Sequence, residues 1–118
     1  MAFESEFPLY EINDGIRRAK AAEFFGKASI PATVDGGGEV RFVPIGQLRV
    51  PRANVAKHSL DITDERAEER WLDTFVRTMN GEAMPPIDIR TAPNSQGLPI
   101  NEVRVMKQGR VVDPFTGE

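Results

Sequence analysis

The chain is short of the residues that most often carry catalysis and metal binding. Its 118 residues include no cysteine and a single histidine, His58. The lack of cysteine excludes disulfide bonds, thiolate zinc sites and a cysteine nucleophile. A transition-metal site built on one histidine would need carboxylates for its other ligands, so we expect neither a bound metal nor a cofactor.

Long apolar runs are also missing, as is any excess of positive charge. The longest apolar run is only a few residues, and the acidic start MAFESEF differs from a signal peptide, so we expect no membrane association. Fifteen basic residues stand against 18 acidic ones. The net charge of −3 disfavours nonspecific attraction to nucleic acid without excluding a local basic patch. We expect a protein of the host-cell cytoplasm or of a virion.

Proline and glycine, by contrast, are plentiful. Nine prolines and ten glycines predict many turns and short elements around one core. We expect a single domain over residues 1–118, with an extended N-terminal arm (1–12) and a C-terminal tail (113–118). No internal repeat, linker or low-complexity segment divides it.

Two segments have the period of an amphipathic helix. The stronger covers about 64–80 and is closed by Asn-Gly. Its apolar stripe consists of Ala67, Trp71, Leu72, Phe75, Val76 and Met79. The shorter covers about 14–25, with Asn13 or Asp14 as its cap and Gly26 as its left-handed end. The basic side chains of this shorter helix are typical of a solvated face.

Alternating apolar residues predict short strands. The sequence SIPATV, the turn DGGG and the sequence EVRFV indicate a β-hairpin. The sequences IDIR, NEVRVM and RVV indicate further strands. We therefore predict an α+β fold with a small mixed sheet, in which Trp71, Leu72 and Phe75 are buried against the strands.

No arrangement of groups points to catalysis. Ser59, His58 and Asp61 are too close in sequence to converge on one reacting atom, and no nucleophile elbow or oxyanion loop accompanies them. The acidic residues lie mostly where helix capping or solvation explains them. We expect a protein that is not an enzyme.

Two groups of residues are candidates for binding a partner. The arm carries large apolar side chains, including Phe3, Phe7 and Tyr10, which either pack on their own domain or dock on another protein. The loop after the hairpin carries basic side chains that either hold a phosphate or an acidic partner surface, or form an ordinary charged loop. These are Arg49, Arg52, Lys57 and His58.

The segment VPIGQLRVP, followed by a helix and then by GEAMPPIDIR, resembles the start of the ParB/sulfiredoxin-like domain. Val43-Pro44-Ile45, Leu48-Arg49 and Pro51 match the family's first strand, and Gly81, Met84 to Ile87 and Ile89-Arg90 match the second. The family's phosphate-binding element, which opens a helix, is reduced here to Gly109-Arg110. The resemblance therefore implies the fold without nuclease, CTPase or phosphotransfer activity.

These observations together predict a non-catalytic small binding protein of a mobile genetic element, such as a phage or plasmid accessory protein that binds or inhibits a host macromolecular machine. Two alternatives stay open. One is a structural component of a phage virion, and the other is a degenerate ParB-like protein that binds DNA or a nucleotide. The sequence leaves the oligomeric state undetermined.

Overall fold

The computed structural model describes residues 8–52, 65–107 and 110–111. In these residues the chain has the predicted α+β fold, with one six-stranded mixed sheet, a separate two-stranded ribbon and two helices. The elements in chain order are β1 (Tyr10–Asp14), α1 (Ile16–Phe24), β2 (Ser29–Val34), β3 (Val40–Pro44), β4 (Leu48–Val50), α2 (Glu65–Met79), β5 (Ile87–Thr91), β6 (Leu98–Pro99), β7 (Met106–Lys107) and β8 (Arg110–Val111). Two 3-10 turns, Ile45–Gln47 and Ile100–Glu102, precede β4 and follow β6.

The sheet has the strand order β3-β2-β5-β1-β4-β6. Strand β1 lies inside it, antiparallel to β5 and parallel to β4. Residues 10–12 of the predicted extended arm therefore belong to strand β1, and residues 1–7 of that arm lie outside the described residues. Ile12 is the one fully buried residue of this strand, and Tyr10, two residues before it, is partly buried against the same cluster. Two inward residues are too few for their alternation to be recognised as a strand in the sequence.

Helix α1 covers the inner face of the sheet with small side chains. Ala19, Ala21 and Ala22 are buried. The prediction that Asn13 or Asp14 caps this helix is wrong, because both residues belong to β1 and no side chain caps the helix start. The helix closes at Gly26, whose φ of 71° confirms the predicted left-handed end.

Gly15 makes the tight connection from β1 into α1. Its φ is 110°, a region that side chains rarely adopt, and a Cβ placed there would lie 2.4 Å from Cγ2 of Ile87. Glycine is therefore required for both its backbone conformation and its close approach to β5.

Helix α2 is the predicted amphipathic helix, and it packs against α1. Trp71 and Phe75 are fully buried, as expected, but the element that α2 mainly packs against is α1 and not the strands that were predicted. The Phe75 ring contacts the rings of Phe24 and Phe25, with centroids 5.2 and 6.0 Å away. The prediction that Leu72 is buried is wrong, since 38% of its surface is exposed on the flank of the stripe.

The region after β6 differs from the predicted strand over NEVRVM. It is a 3-10 turn at Ile100–Glu102, then an irregular segment, and only Met106–Lys107 pairs, in the ribbon with Arg110–Val111. Val103 and Val105 are both buried. Both side chains are buried on the same side of an irregular segment. A strand produces the same alternation of apolar residues, so the sequence does not distinguish the two structures.

The outer face of the sheet carries a network of polar side chains. Asp88 accepts hydrogen bonds from Asn13 and Thr33, at 3.3 and 3.1 Å. Glu11 accepts from Ser95 at 2.7 Å and from Arg90, which also donates to Asn13. These bonds, led by the one from Ser95, hold the pKa of Glu11 below its ordinary value.

Candidate functional site

A cavity of about 420 Å³ opens where the start of α1 meets α2. Its walls are the chain from Asn13 to Arg18, the α2 residues Thr74 and Arg77, and Met84 and Pro85 of the loop before β5. We call it the arginine cavity, after Arg17, Arg18 and Arg77. Its size lies in the range of small-molecule binding sites.

The three arginines differ in how they are held. Arg18 is fixed, because its Nη1 donates to the carbonyl oxygens of Pro85 and Pro86 at 2.7 and 3.0 Å, and its Nη2 contacts Asp14 at 3.3 Å. Arg77 lies beside Asp73, with Nε 3.5 Å from the carboxylate, and is half exposed. No hydrogen bond or ion pair joins Arg17 to any other residue that the structure describes.

The surroundings of Arg17 are unfavourable for its positive charge. Partial burial lowers the pKa of its guanidinium, and the neighbouring charges of Arg70 and Arg18 lower it further, while Asp14 acts in the opposite direction. The positive charge is therefore incompletely balanced by the surrounding protein. A negative charge in the cavity would stabilise it.

The second unusual surface is on strand β3. This strand forms one edge of the described sheet and pairs with β2 over all five of its residues. Val40 and Phe42 are 50% and 74% exposed. We call this surface the β3 edge, defined by Val40, Phe42 and Pro31, which is the cross-strand neighbour of Phe42.

Strand register explains why these two apolar residues point outward. Ile30 pairs with Val43, and both are buried on the inner face. Since successive side chains alternate between faces, Phe42 opposite Pro31 must lie on the outer face. The sequence RFVPI contains adjacent apolar residues and does not say which of them faces the core.

The described part of the predicted binding set is divided between the core and the surface. Tyr10 begins β1 and packs against the buried cluster. Arg49 donates from Nη1 to the carbonyl oxygens of Gly46 and Leu48, at 2.8 and 3.0 Å. Arg52 donates from Nε to the carbonyl oxygen of Gln96 at 2.7 Å, which ties the chain after β4 to the loop before β6. Both guanidiniums thus contact nearby backbone.

The remaining members of the predicted set, Phe3, Phe7, Lys57 and His58, lie outside the described residues. That any of the seven contacts a partner stays a prediction.

Sequence reasoning missed the arginine cavity, although a signal was present. Arg66, Arg70 and Arg77 recur on α2 at spacings of four and seven, which places them on one flank of a helix. Arg17 and Arg18 were expected in solvent, and nothing in the sequence says that the two helices place their basic flanks together.

No protein-family profile, no curated protein and no solved structure matches this chain. Among the described residues, no helix is long and apolar enough to cross a membrane. The same part of the chain contains no cluster of three or more histidine or acidic side chains arranged to hold a metal ion. The resemblance to the ParB/sulfiredoxin-like domain stays a prediction.

Proposed function

We propose that this protein is a non-catalytic binding protein that takes a protein partner at the β3 edge. The observation that carries the proposal is Phe42, a large aromatic side chain that is 74% exposed on an edge strand. Aromatic side chains are enriched among the residues that contribute most to protein interfaces. The partner surface is therefore apolar where it meets Phe42.

The backbone of β3 adds a second mode of recognition. An edge strand presents unpaired N–H and C=O groups, to which an extended segment of another chain can add as a further strand. Alternate side chains of that segment would face Val40 and Phe42 on the outer face. We propose that the partner contributes such an extended segment with apolar residues at alternate positions.

The acidic residues support a binding role over a catalytic one. Within the described residues, Glu11, Asp35 and Asp88 each accept hydrogen bonds that fix strands and turns. Their carboxylates are used for structure. General acid or base catalysis needs carboxyl groups placed to reach a substrate.

The test is affinity capture from lysate of the source cells with three forms of the full chain. The first is the wild type, the second is Phe42→Asp, and the third is Met79→Asp, which changes an equally apolar and 55% exposed residue on α2. We expect a protein retained by the wild type and by Met79→Asp and lost with Phe42→Asp. Circular dichroism confirms that all three forms fold.

Hydrogen exchange on the captured complex then locates the contact. Strand addition should protect those backbone amides of Val40–Val43 whose N–H groups point away from β2. Loss of capture by both variants, or protection elsewhere, would contradict the β3 edge as the binding surface.

A regulatory partner and a neighbouring subunit of a virion would both use such a surface. Sedimentation of the purified protein over a concentration series separates them. A monomer or dimer that captures a different host protein supports the accessory or inhibitory role, whereas assembly into rings or larger particles supports the virion role.

A further inference from the structure

We propose that the arginine cavity binds the phosphate group of a phosphorylated small molecule. This site is separate from the β3 edge. The proposal rests on the arrangement of three arginines around an open cavity.

Charge selects an anion. Arg17 has no hydrogen-bond or ion-pair partner among the described residues, and Arg18 and Arg77 line the same cavity. One carboxylate, Asp14, also lines it and contacts Arg18. Asp73 contacts Arg77, so the charge that is left over is that of Arg17. The cavity therefore keeps positive charge that the described chain does not neutralise.

The donors favour a tetrahedral oxyanion over a carboxylate. A guanidinium presents several N–H groups in a fixed fork that pairs with two oxygens of a phosphate or carboxylate. Arg17 belongs to α1 and Arg77 belongs to α2, so the two side chains lie on different walls of the cavity. A phosphate has oxygen atoms in enough directions to accept from both walls at once, whereas the two oxygens of a carboxylate lie in one plane.

Backbone amides add to the arginine donors. No side chain of the described residues caps the start of α1, so the N–H groups of Ile16, Arg17 and Arg18 lack side-chain acceptors. Amides at a helix start hold partial positive charge and commonly bind phosphate. The fixed guanidinium of Arg18, anchored on the carbonyl oxygens of Pro85 and Pro86, keeps the loop before β5 against this helix start.

The volume indicates that the ligand is larger than phosphate itself. About 420 Å³ is the space of a small organic molecule. Thr74, Met84 and Pro85 line the remainder. The Thr74 hydroxyl donates to the carbonyl oxygen of Arg70 at 2.9 Å and can still accept a hydrogen bond, and Met84 and Pro85 offer apolar surfaces. A sugar phosphate or a nucleoside monophosphate has the matching combination of one charged end and a less polar body.

The test is a titration followed by NMR of the backbone amides, at constant ionic strength and neutral pH. The probes are inorganic phosphate, glucose 6-phosphate, adenosine monophosphate, a short DNA duplex and, as the carboxylate control, acetate. We expect saturable shifts at Ile16–Arg18 with the three phosphates, tighter binding for at least one organic phosphate than for inorganic phosphate, and no saturation with acetate.

Two variants with equal loss of charge make the result specific. Arg17→Gln should weaken binding about tenfold or more, since a charge-assisted hydrogen bond is lost. Arg104→Gln removes an exposed arginine that does not line the cavity, and it should leave the affinity within about twofold. The amide spectrum shows whether each variant keeps its fold.

Several results would overturn the proposal. Absence of saturation with every phosphate probe is one, and equal weakening by Arg17→Gln and Arg104→Gln is another, because it would show attraction to overall charge. Shifts that appear only with a DNA duplex and vanish with salt would replace the small molecule by a nucleic acid. Phe42→Asp provides the link to the β3 edge: it should bind the phosphates normally even if its partner capture fails.

Discussion

The two edges of the sheet are built in opposite ways. Strand β6 is two residues long, contains Pro99, which has no N–H to donate, and runs at once into a 3-10 turn whose Ile100 is buried. Strand β3 is five residues long and pairs with β2 along its whole length. Two of its apolar side chains, Val40 and Phe42, are exposed on the outer face of the sheet. Among the described residues, one edge is blocked against further pairing and the other is not.

This difference concerns protection against pairing with another chain. Proteins commonly protect sheet edges by shortening them, by placing proline there or by adding charge. The β6 edge uses two of these devices within two residues, whereas the β3 edge has one charged residue, Arg41, between Val40 and Phe42, and a proline, Pro44, only at its last position. The sheet thus has one protected edge and one open edge, and the proposed binding of a partner would use the open one.

The largest expected effect tests whether both edges depend on one core. Phe75→Ala should lower the free energy of unfolding by about 3–5 kcal/mol, because it removes a fully buried ring and leaves a cavity between the helices. A denaturant titration followed by circular dichroism measures it. Leu72→Ala, on the same helix but 38% exposed, is the control and should lose less. A loss below about 1 kcal/mol for Phe75→Ala would show that α2 is not part of the core.

The next effect should be confined to the β6 edge. A Cβ at Gly97 would lie 2.6 Å from the backbone oxygen of Val50, so Gly97→Ala must push β6 away from β4. We expect a loss of about 1–3 kcal/mol in a denaturant titration. The matched control is Gly38→Ala in the hairpin turn, where a Cβ meets nothing within 4 Å. Equal stability of the two variants would mean that β6 does not depend on its close approach to β4.

Shortening a side chain at the open edge should have little effect on the free energy of unfolding. Phe42→Ala removes a side chain that is 74% exposed, and we expect a change in unfolding free energy within about 0.5 kcal/mol. Leu98→Ala at the other edge removes a side chain packed against the core and should cost more. The same denaturant titration compares them. A large loss for Phe42→Ala would assign this ring to stability and weaken its assignment to binding.

The smallest effect is a pH dependence beside the β3 edge. Asp35 lies in the hairpin turn and accepts hydrogen bonds from the hydroxyl and the amide of Thr91, at 2.6 and 2.8 Å, which lower the pKa of its carboxyl. A carboxyl with a lowered folded pKa stabilises the fold above its unfolded pKa, and this stabilisation is lost as the pH falls through the folded pKa. The loss should therefore occur below about pH 4.

Asp35→Asn isolates that charge. Asparagine tolerates the positive φ of 53° at this position and keeps an acceptor oxygen for Thr91. Titrations at neutral pH and near about pH 3 should show a smaller decrease in stability for the variant than for the wild type. Identical decreases would mean that other carboxylates account for the acid sensitivity.

The elements with strong periodicity were predictable from the sequence. The stripe over 64–80 gave α2 to within about a residue, and the turn DGGG located the hairpin, because helical period and turn chemistry act locally. Strand β1 was not predictable, since one buried residue, Ile12, makes no pattern. Its place between β4 and β5 is set by contacts with distant parts of the chain.

The candidate sites were less predictable than the fold. Phe42 was recognisable as a strand residue, but the face on which it lies depends on the pairing of β3 with β2. Arg17 was recognisable as a helix residue, and its exposure to Arg70 and Arg77 depends on how α1 packs against α2. A site formed by two elements needs their relative placement, which one sequence does not contain.

The central position of β5 also has a consequence for synthesis. It joins β2 to β1, and the pair formed by Glu11 and Arg90 spans 79 residues. At about 5–20 residues per second, a ribosome needs roughly 4 to 16 s to make that stretch. During this time both partners of β5 are unpaired on the sides it will occupy. The nascent chain therefore completes its sheet late, and the first half is the part that a chaperone or a premature contact would meet.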